Sequence, residues 1–450
     1  MAHKYWQDGP LHPSENHRYL KAGEKPFYWM GDTSWLMIQR SSREDAYLYL
    51  KNRADKGFNV IQTDFIHTIP LVDHYGHHAL EGDRDFTKPD LSGDYSFWDH
   101  ADYIIRTAEE LGVYMGILPV WGSSIVKSEA LNMNNVTAYA EFIGKRYQNA
   151  PNIIWIMGGD VRGDVHPEVW DAMASILKKY NPERLICYHP FGRTSSSQWF
   201  SDRDWLDIHM FQSGHRRYDQ RDLKSWDDLS KNDDWFGEDN WKYVLRDHRQ
   251  ERIRPTLDAE PSYEQIPQGL HDPKEGFWQD HDVRRYAWWS VLAGACGFTY
   301  GDNAVMQFLK PCYKPNYGAF CNWEESLHHP GSGQVVLLKK LMERFPYWTG
   351  STCQQMLEGY EGDQYLRVSA FAGKDFAIFY DYSGRAFDVK LGMLTGEKVN
   401  AWWMDPTSGA FSFAGVFENH GVHTFTPSKR MLGHNDTALI LCDEKSSYIE

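Results

Sequence analysis

Two acidic residues sit where a barrel-type enzyme would hold its chemistry. Asp160 closes the run NIIWIMGGD behind Gly158-Gly159, where two missing side chains leave room for a ligand close to the backbone. Glu260 closes IRPTLDAE and precedes Pro261, which cannot continue a β-ladder. Two carboxyl groups held at strand ends can cleave a glycosidic bond: one protonates the leaving oxygen, the other attacks carbon or activates water. Similar runs end in Asp32, Asp64, Trp121, His189, His209, Gln212 and Asp302. Asp32, Trp121, Gln212 and Asp302 are candidates for binding a sugar. His189 and His209 are candidates for bonding substrate hydroxyls or orienting Glu260. Asp258, two residues before Glu260, shares its side of the strand one layer deeper and reads as a structural partner for an Arg or His.

Other chemistries lack their signatures. There is no GxSxG elbow, no HExxH and no CxxC pair. The cluster His74, His77 and His78 has no acidic or Cys ligand pattern beside it and reads as a solvated loop. No metal and no cofactor are expected.

These residues need a frame that brings strand ends together. Eight apolar runs, near 26–35, 58–65, 113–121, 152–160, 184–191, 205–212, 253–260 and 295–302, are rich in β-branched and aromatic residues. Helical patterns alternate with them. One is opened by Ser42 with Asp45 three residues on and closed by Gly57. In another, Phe97, Ala101, Ile104, Ile105, Ala108 and Leu111 share one face. This alternation predicts an α/β fold, a (β/α)8 TIM barrel, over residues 1–348. The rival doubly wound sheet lacks a Gly-rich phosphate loop after its first strand. Long connections at 66–95 and 213–251, the second carrying Trp226, Trp235 and Trp241, fall on the face where barrels build active sites. After about residue 350 the helical periods stop, and 349–450 reads as a C-terminal all-β sandwich with a structural or accessory role.

Composition narrows the partners. Of 450 residues, 47 are Lys or Arg and 62 Asp or Glu, a net charge of −15, which argues against a nucleic-acid footprint. No apolar stretch is long enough to span a membrane. The start, MAHKYWQDGPLH, has no signal-type apolar segment. The chain as written therefore reads as cytoplasmic, the alternative being a secreted or periplasmic protein whose signal has been removed. Aromatic residues make up 15% of the chain, Trp alone 19 residues, which suits stacking on sugar rings as well as core burial.

The blocks FYWMGDTSW, KGFNVIQ, NIIWIMGGD, RPTLDAEPSYE and RRYAWWSVLAGACGFTYGDN, in that order, resemble the apiosidase-like family of glycoside hydrolases over roughly residues 10–345. The β module resembles the domain commonly appended to that family. The resemblance implies Asp160 as acid/base and Glu260 as nucleophile of a retaining double displacement. It also implies release of apiose, or another pentose or furanose-type terminal sugar, from plant-polysaccharide oligosaccharides. The sequence departs from the broader clan at Gly159, where an Asn commonly contacts the sugar 2-hydroxyl. Two other readings are a carbohydrate-binding barrel without turnover and a glycosidase of different sugar specificity.

Overall fold

The computed structural model describes residues 3–220, 236, 238–359, 361–428 and 433–449; Trp226 and Trp235 lie outside the described residues. A small antiparallel sheet comes first: β1 (Leu11–Pro13), β2 (Leu20–Ala22) and β3 (Lys25–Phe27). It has no counterpart among the apolar runs, because its strands are three residues each, too short to show a period.

The main sheet contains β4 (Trp29–Thr33), β5 (Val60–Ile66), β6 (Tyr114–Val120), β7 (Ile153–Gly158), β8 (Ile186–His189), the two-residue β9 (Thr194–Ser195), β10 (Ile208–Gln212), β11 (Thr256–Asp258) and β12 (Gly297–Tyr300). Its parallel strands are ordered β11-β10-β8-β7-β6-β5-β4-β12, and β9 pairs antiparallel with β10. The sheet curls until its two end strands meet, where Cys296 N donates to Thr256 O at 2.9 Å. Strands such as β7 (IIWIMG) and β6 (YMGILPV) are buried along their whole length. A parallel strand covered on both faces has no need to alternate, which is why the runs are continuously apolar.

Helices cover the outside. Arg43–Lys56 and Phe97–Glu110 both start with capping boxes, Ser42 with Asp45 and Ser96 with Asp99. Gly57, at φ 110°, closes the first. The helix Asp280–Leu292 is buried from Asp282 to Leu292, because the barrel sheet lies on one side and the C-terminal domain on the other.

That domain is β-rich. β13 (Ser351–Thr352), β14 (Leu357–Glu358), β15 (Val368–Ala372), β16 (Phe376–Asp381), β17 (Phe387–Leu391), β18 (Lys398–Met404), β19 (Phe411–Glu418), β20 (Gly421–Phe425) and β21 (Thr437–Asp443) form two antiparallel sheets. Their orders are β13-β15-β16-β21-β18-β19 and β14-β17-β20. Val368, Phe379, Val389, Val399 and Leu441 fill the core between them. All six cysteines are free thiols. No helix among the described residues is long and apolar enough to cross a membrane.

Candidate active site

The end of β7 is shaped by backbone conformation. Gly158 (φ 90°), Gly159 (φ 101°) and Asp160 (φ 48°) are three successive left-handed residues. A Cβ on Gly158 would lie 2.1 Å from the carbonyl oxygen of His189, so only glycine fits. Gly159 N donates to that same oxygen at 2.9 Å. This turn aims Asp160 into the mouth of the sheet, at a positive φ that is uncommon for a residue other than glycine. Asp160 is half-buried as a residue, but its Oδ1 is sealed and has no hydrogen-bond partner among the described residues.

Glu260 stands two residues beyond β11 and is 6% exposed. Its carboxylate is bracketed by two imidazoles. His215 Nε2 lies 3.0 Å from Oε1, and His189 Nε2 lies 3.3 Å from Oε2. One carboxylate oxygen each from Asp160 and Glu260 and one ring nitrogen of His189 all lie within 4.8 Å of one another. Among the described residues this is also the group whose donor atoms are close enough to share a cation.

The two acids are driven to opposite protonation states. Burial, reinforced by the neighbouring Glu260 charge, pushes Asp160 up to about 7 against the pull of His189, Gln212 and His67. Burial would raise Glu260 too, but the hydrogen bonding and charge of His189 and His215 outweigh it and hold Glu260 down to about 2. Between these two values the pair holds one proton, mostly on Asp160, with Glu260 ionised. A protonated acid beside an ionised carboxylate is the arrangement that glycosidic cleavage requires.

The acids lie between two lobes of a cleft. One, of ≈ 120 Å³, has Trp35, His67, Trp121, Tyr263 and Tyr317 in its walls. Trp35 and Trp121 are 5.0 Å apart by ring centroid. Tyr263 fits because residue 301 is glycine: a Cβ there would sit 2.1 Å from its ring. The other lobe has Arg193, Gln212, Arg216 and His271 in its lining. Asp160, His215 and Glu260 border both.

Of the residues singled out from sequence, the structure brings Asp160, Glu260, Trp121, His189 and Gln212 together. Three others belong elsewhere. Asp32 is fully buried, accepting from Arg53 Nε at 2.5 Å and Tyr49 OH at 2.8 Å; its carboxylate pins a helix to the sheet and is absent from the lining. His209 bonds Ser196 Oγ through Nδ1 at 3.1 Å, and burial pushes it down to about 3, so it is a neutral core histidine. Asp302 caps the turn Asn303–Met306 through Ala304 N and Val305 N, and its other oxygen lies 2.6 Å from His329 Nδ1. Asp258 is held by Ser213 Oγ at 2.6 Å and Asn240 Nδ2 at 3.0 Å, and among the described residues by no Arg or His. His77 and His78 are paired with Asp73 and Asp83 in their loop.

Sequence reasoning gave no role to Trp35, His67, His215 or Tyr263, although His67 and His215 lie on the two long connections it marked. His215 is the most consequential. It follows β10 on one of the two long connections, so its region was marked, but no local motif separates it from the other histidines.

Curled parallel sheet, acid pair and aromatic cleft together define a glycoside hydrolase. The comparisons agree. The family model described as "Apiosidase-like, catalytic domain" matches residues 14–349, and the chain belongs to that family. A second model, "Putative collagen-binding domain of a collagenase", matches residues 353–442. A solved structure titled simply glycoside hydrolase is 40% identical with a TM-score of 0.93, each chain covered in full. A glycoside hydrolase family 5 structure from Bacteroides vulgatus is 39% identical, with a TM-score of 0.93 and coverage of 100% of this chain and 97% of that one. An endo-1,4-beta-mannanase from Rhizomucor miehei shares the fold at 13% identity and a TM-score of 0.50, covering 74% of this chain and 100% of its own. No curated protein matches the chain.

Proposed function

We propose that this chain is a retaining glycosidase that removes a terminal apiose, or another pentose or furanose-type sugar, from plant-polysaccharide-derived oligosaccharides. The sheet is read as a complete (β/α)8 barrel, closed at Thr256–Cys296. The observation that carries the reading is the acid pair: oxygens within 4.8 Å and opposed protonation. That proximity favours retention, for which carboxyl groups stand roughly 5–5.5 Å apart, over inversion, which needs roughly 6.5–9.5 Å to admit a water. The terminal sugar seats against Trp35 and Trp121, and the leaving group occupies the lobe lined by Arg193, Gln212 and Arg216.

In the first step Asp160 gives its proton to the glycosidic oxygen, and Glu260 attacks the anomeric carbon to form a glycosyl ester. His189 and His215 keep Glu260 ionised and oriented. In the second step Asp160, now a carboxylate, takes a proton from water as that water displaces Glu260.

A panel of aryl glycosides, furanosides included, tests this. Glu260→Ala should abolish turnover of every donor. Asp160→Ala should lower kcat/KM by roughly 10²–10⁴-fold with poor leaving groups and far less with activated ones. Azide should rescue Asp160→Ala, giving a glycosyl azide of unchanged anomeric configuration. Wild type that binds sugars but releases none would instead mark a carbohydrate-binding protein.

A further inference from the structure

His67 has no part in the proton transfers above, yet it lines the aromatic lobe beside both acids. Its ring stacks on Trp121 at 4.9 Å and 29°. Its Nδ1 lies 2.7 Å from Oδ2 of Asp64, a residue of β5 that is 2% exposed. A buried carboxylate facing Nδ1 keeps the proton on that nitrogen and fixes the ring plane, leaving Nε2 as the working edge. Nε2 makes no hydrogen bond among the described residues, and the side chain is 25% open to the cleft.

Several neighbouring positions are not free for this task. A Cβ on Gly159 would lie 3.0 Å from Gly122 N, Leu118 Cδ2 and Trp121 Cε3, so that wall is closed to any side chain from position 159. Gln307, across the lobe, is already committed: its Nε2 bonds Asn303 and Asn316, and its Oε1 accepts from Asn316 N. Asp160, Glu260 and His215 are occupied by the chemistry.

We propose that His67, oriented by Asp64, is the residue that recognises a ring hydroxyl of the terminal sugar stacked at Trp121, with Nε2 accepting the hydroxyl proton. This deepens the glycosidase reading and rests on it. A site built to bond a hydroxyl discriminates strongly against a sugar that lacks it, because its own polar atom is then left unpaired.

The test uses the full chain, the 4-nitrophenyl glycoside turned over fastest, and its monodeoxy analogues. Wild type should prefer the parent sugar over one deoxy analogue by roughly 10²-fold or more. His67→Ala should lose most of that preference at the one position, while keeping its discrimination at the other ring positions. His67→Gln, which retains an acceptor, should recover part of the preference. Asp64→Asn should weaken it with little change in the thermal midpoint of His67→Ala. Unchanged discrimination at every position in a folded His67→Ala protein would overturn the assignment to His67 and leave the glycosidase reading intact. Wild type inert toward every donor would overturn both.

Discussion

Asp160 and Glu260 are the same functional group in one small space, and their partners alone make them different. Two imidazoles face Glu260, whereas the Oδ1 of Asp160 has no hydrogen-bond partner among the described residues. The pH profile should follow. Activity needs Asp160 protonated, so kcat/KM falls as pH rises through about 7, while the acid limb, set by Glu260, lies near 2. His215→Asn should lift that acid limb, because Glu260 loses one of the groups that hold it ionised. Stability carries the same signature. The folded chain holds the Asp160 proton up to about 7, the unfolded chain only to about 3.8, so the stability this group contributes below 3.8 is lost as pH climbs through 7. Asp160→Asn has no proton to lose. It should therefore gain on wild type by about 2 kcal/mol more at pH 8 than at pH 5, measured by denaturant unfolding at each pH.

At the scale of elements, Asp32, His209 and Asp302 bond within the frame. Asp302→Ala removes a cap and strands His329, and should cost about 1–3 kcal/mol while leaving KM unchanged. A shifted KM with unchanged stability would return Asp302 to the site. The strands themselves were legible because each is buried along its length, so a continuous apolar run marks it. Strand ends were legible to within a few residues, enough to place Asp160, Trp121, His189, Gln212 and Glu260 on one mouth. Which side of the strand an end residue faces was not. Asp32 lies inside β4 and points to the helix Arg43–Lys56, where Arg53 waits ten residues along, a pairing that no local pattern announces. His67 and His215 were hidden for another reason. They stand on connections, and a loop histidine acquires its role from tertiary neighbours such as Asp64 and Glu260.

At the scale of the whole molecule, the apolar core around the main sheet extends into the β domain, which also keeps a core of its own. Phe376, Ile378, Tyr380 and Ile440 of the β domain belong to the same buried cluster as the barrel strands, and Phe345 stacks on Phe376 at 4.6 Å. A buried fork ties the parts together: Arg284 Nε and Nη2 reach the two oxygens of Asp436 at 2.8 and 2.9 Å, with Tyr380 OH on the same carboxylate at 3.0 Å. Asp436→Ala leaves that guanidinium buried with less to answer it, and should cost about 3–5 kcal/mol. Calorimetry should show barrel and β domain melting in a single transition in wild type, and separate transitions in this variant would show that the fork couples them.

The β domain also touches the connection that carries His215. Tyr365 OH donates to Glu238 Oε1 at 2.6 Å, the same oxygen that receives Tyr218 N at 3.1 Å, and the Arg367 guanidinium lies 3.6 Å from the centre of the Trp241 ring. The two domains are thus poor candidates for independent shuffling. A chimera that borrows the β domain of a relative must import residues 238–241 along with it, or leave the stretch leading to His215 without its outer anchor.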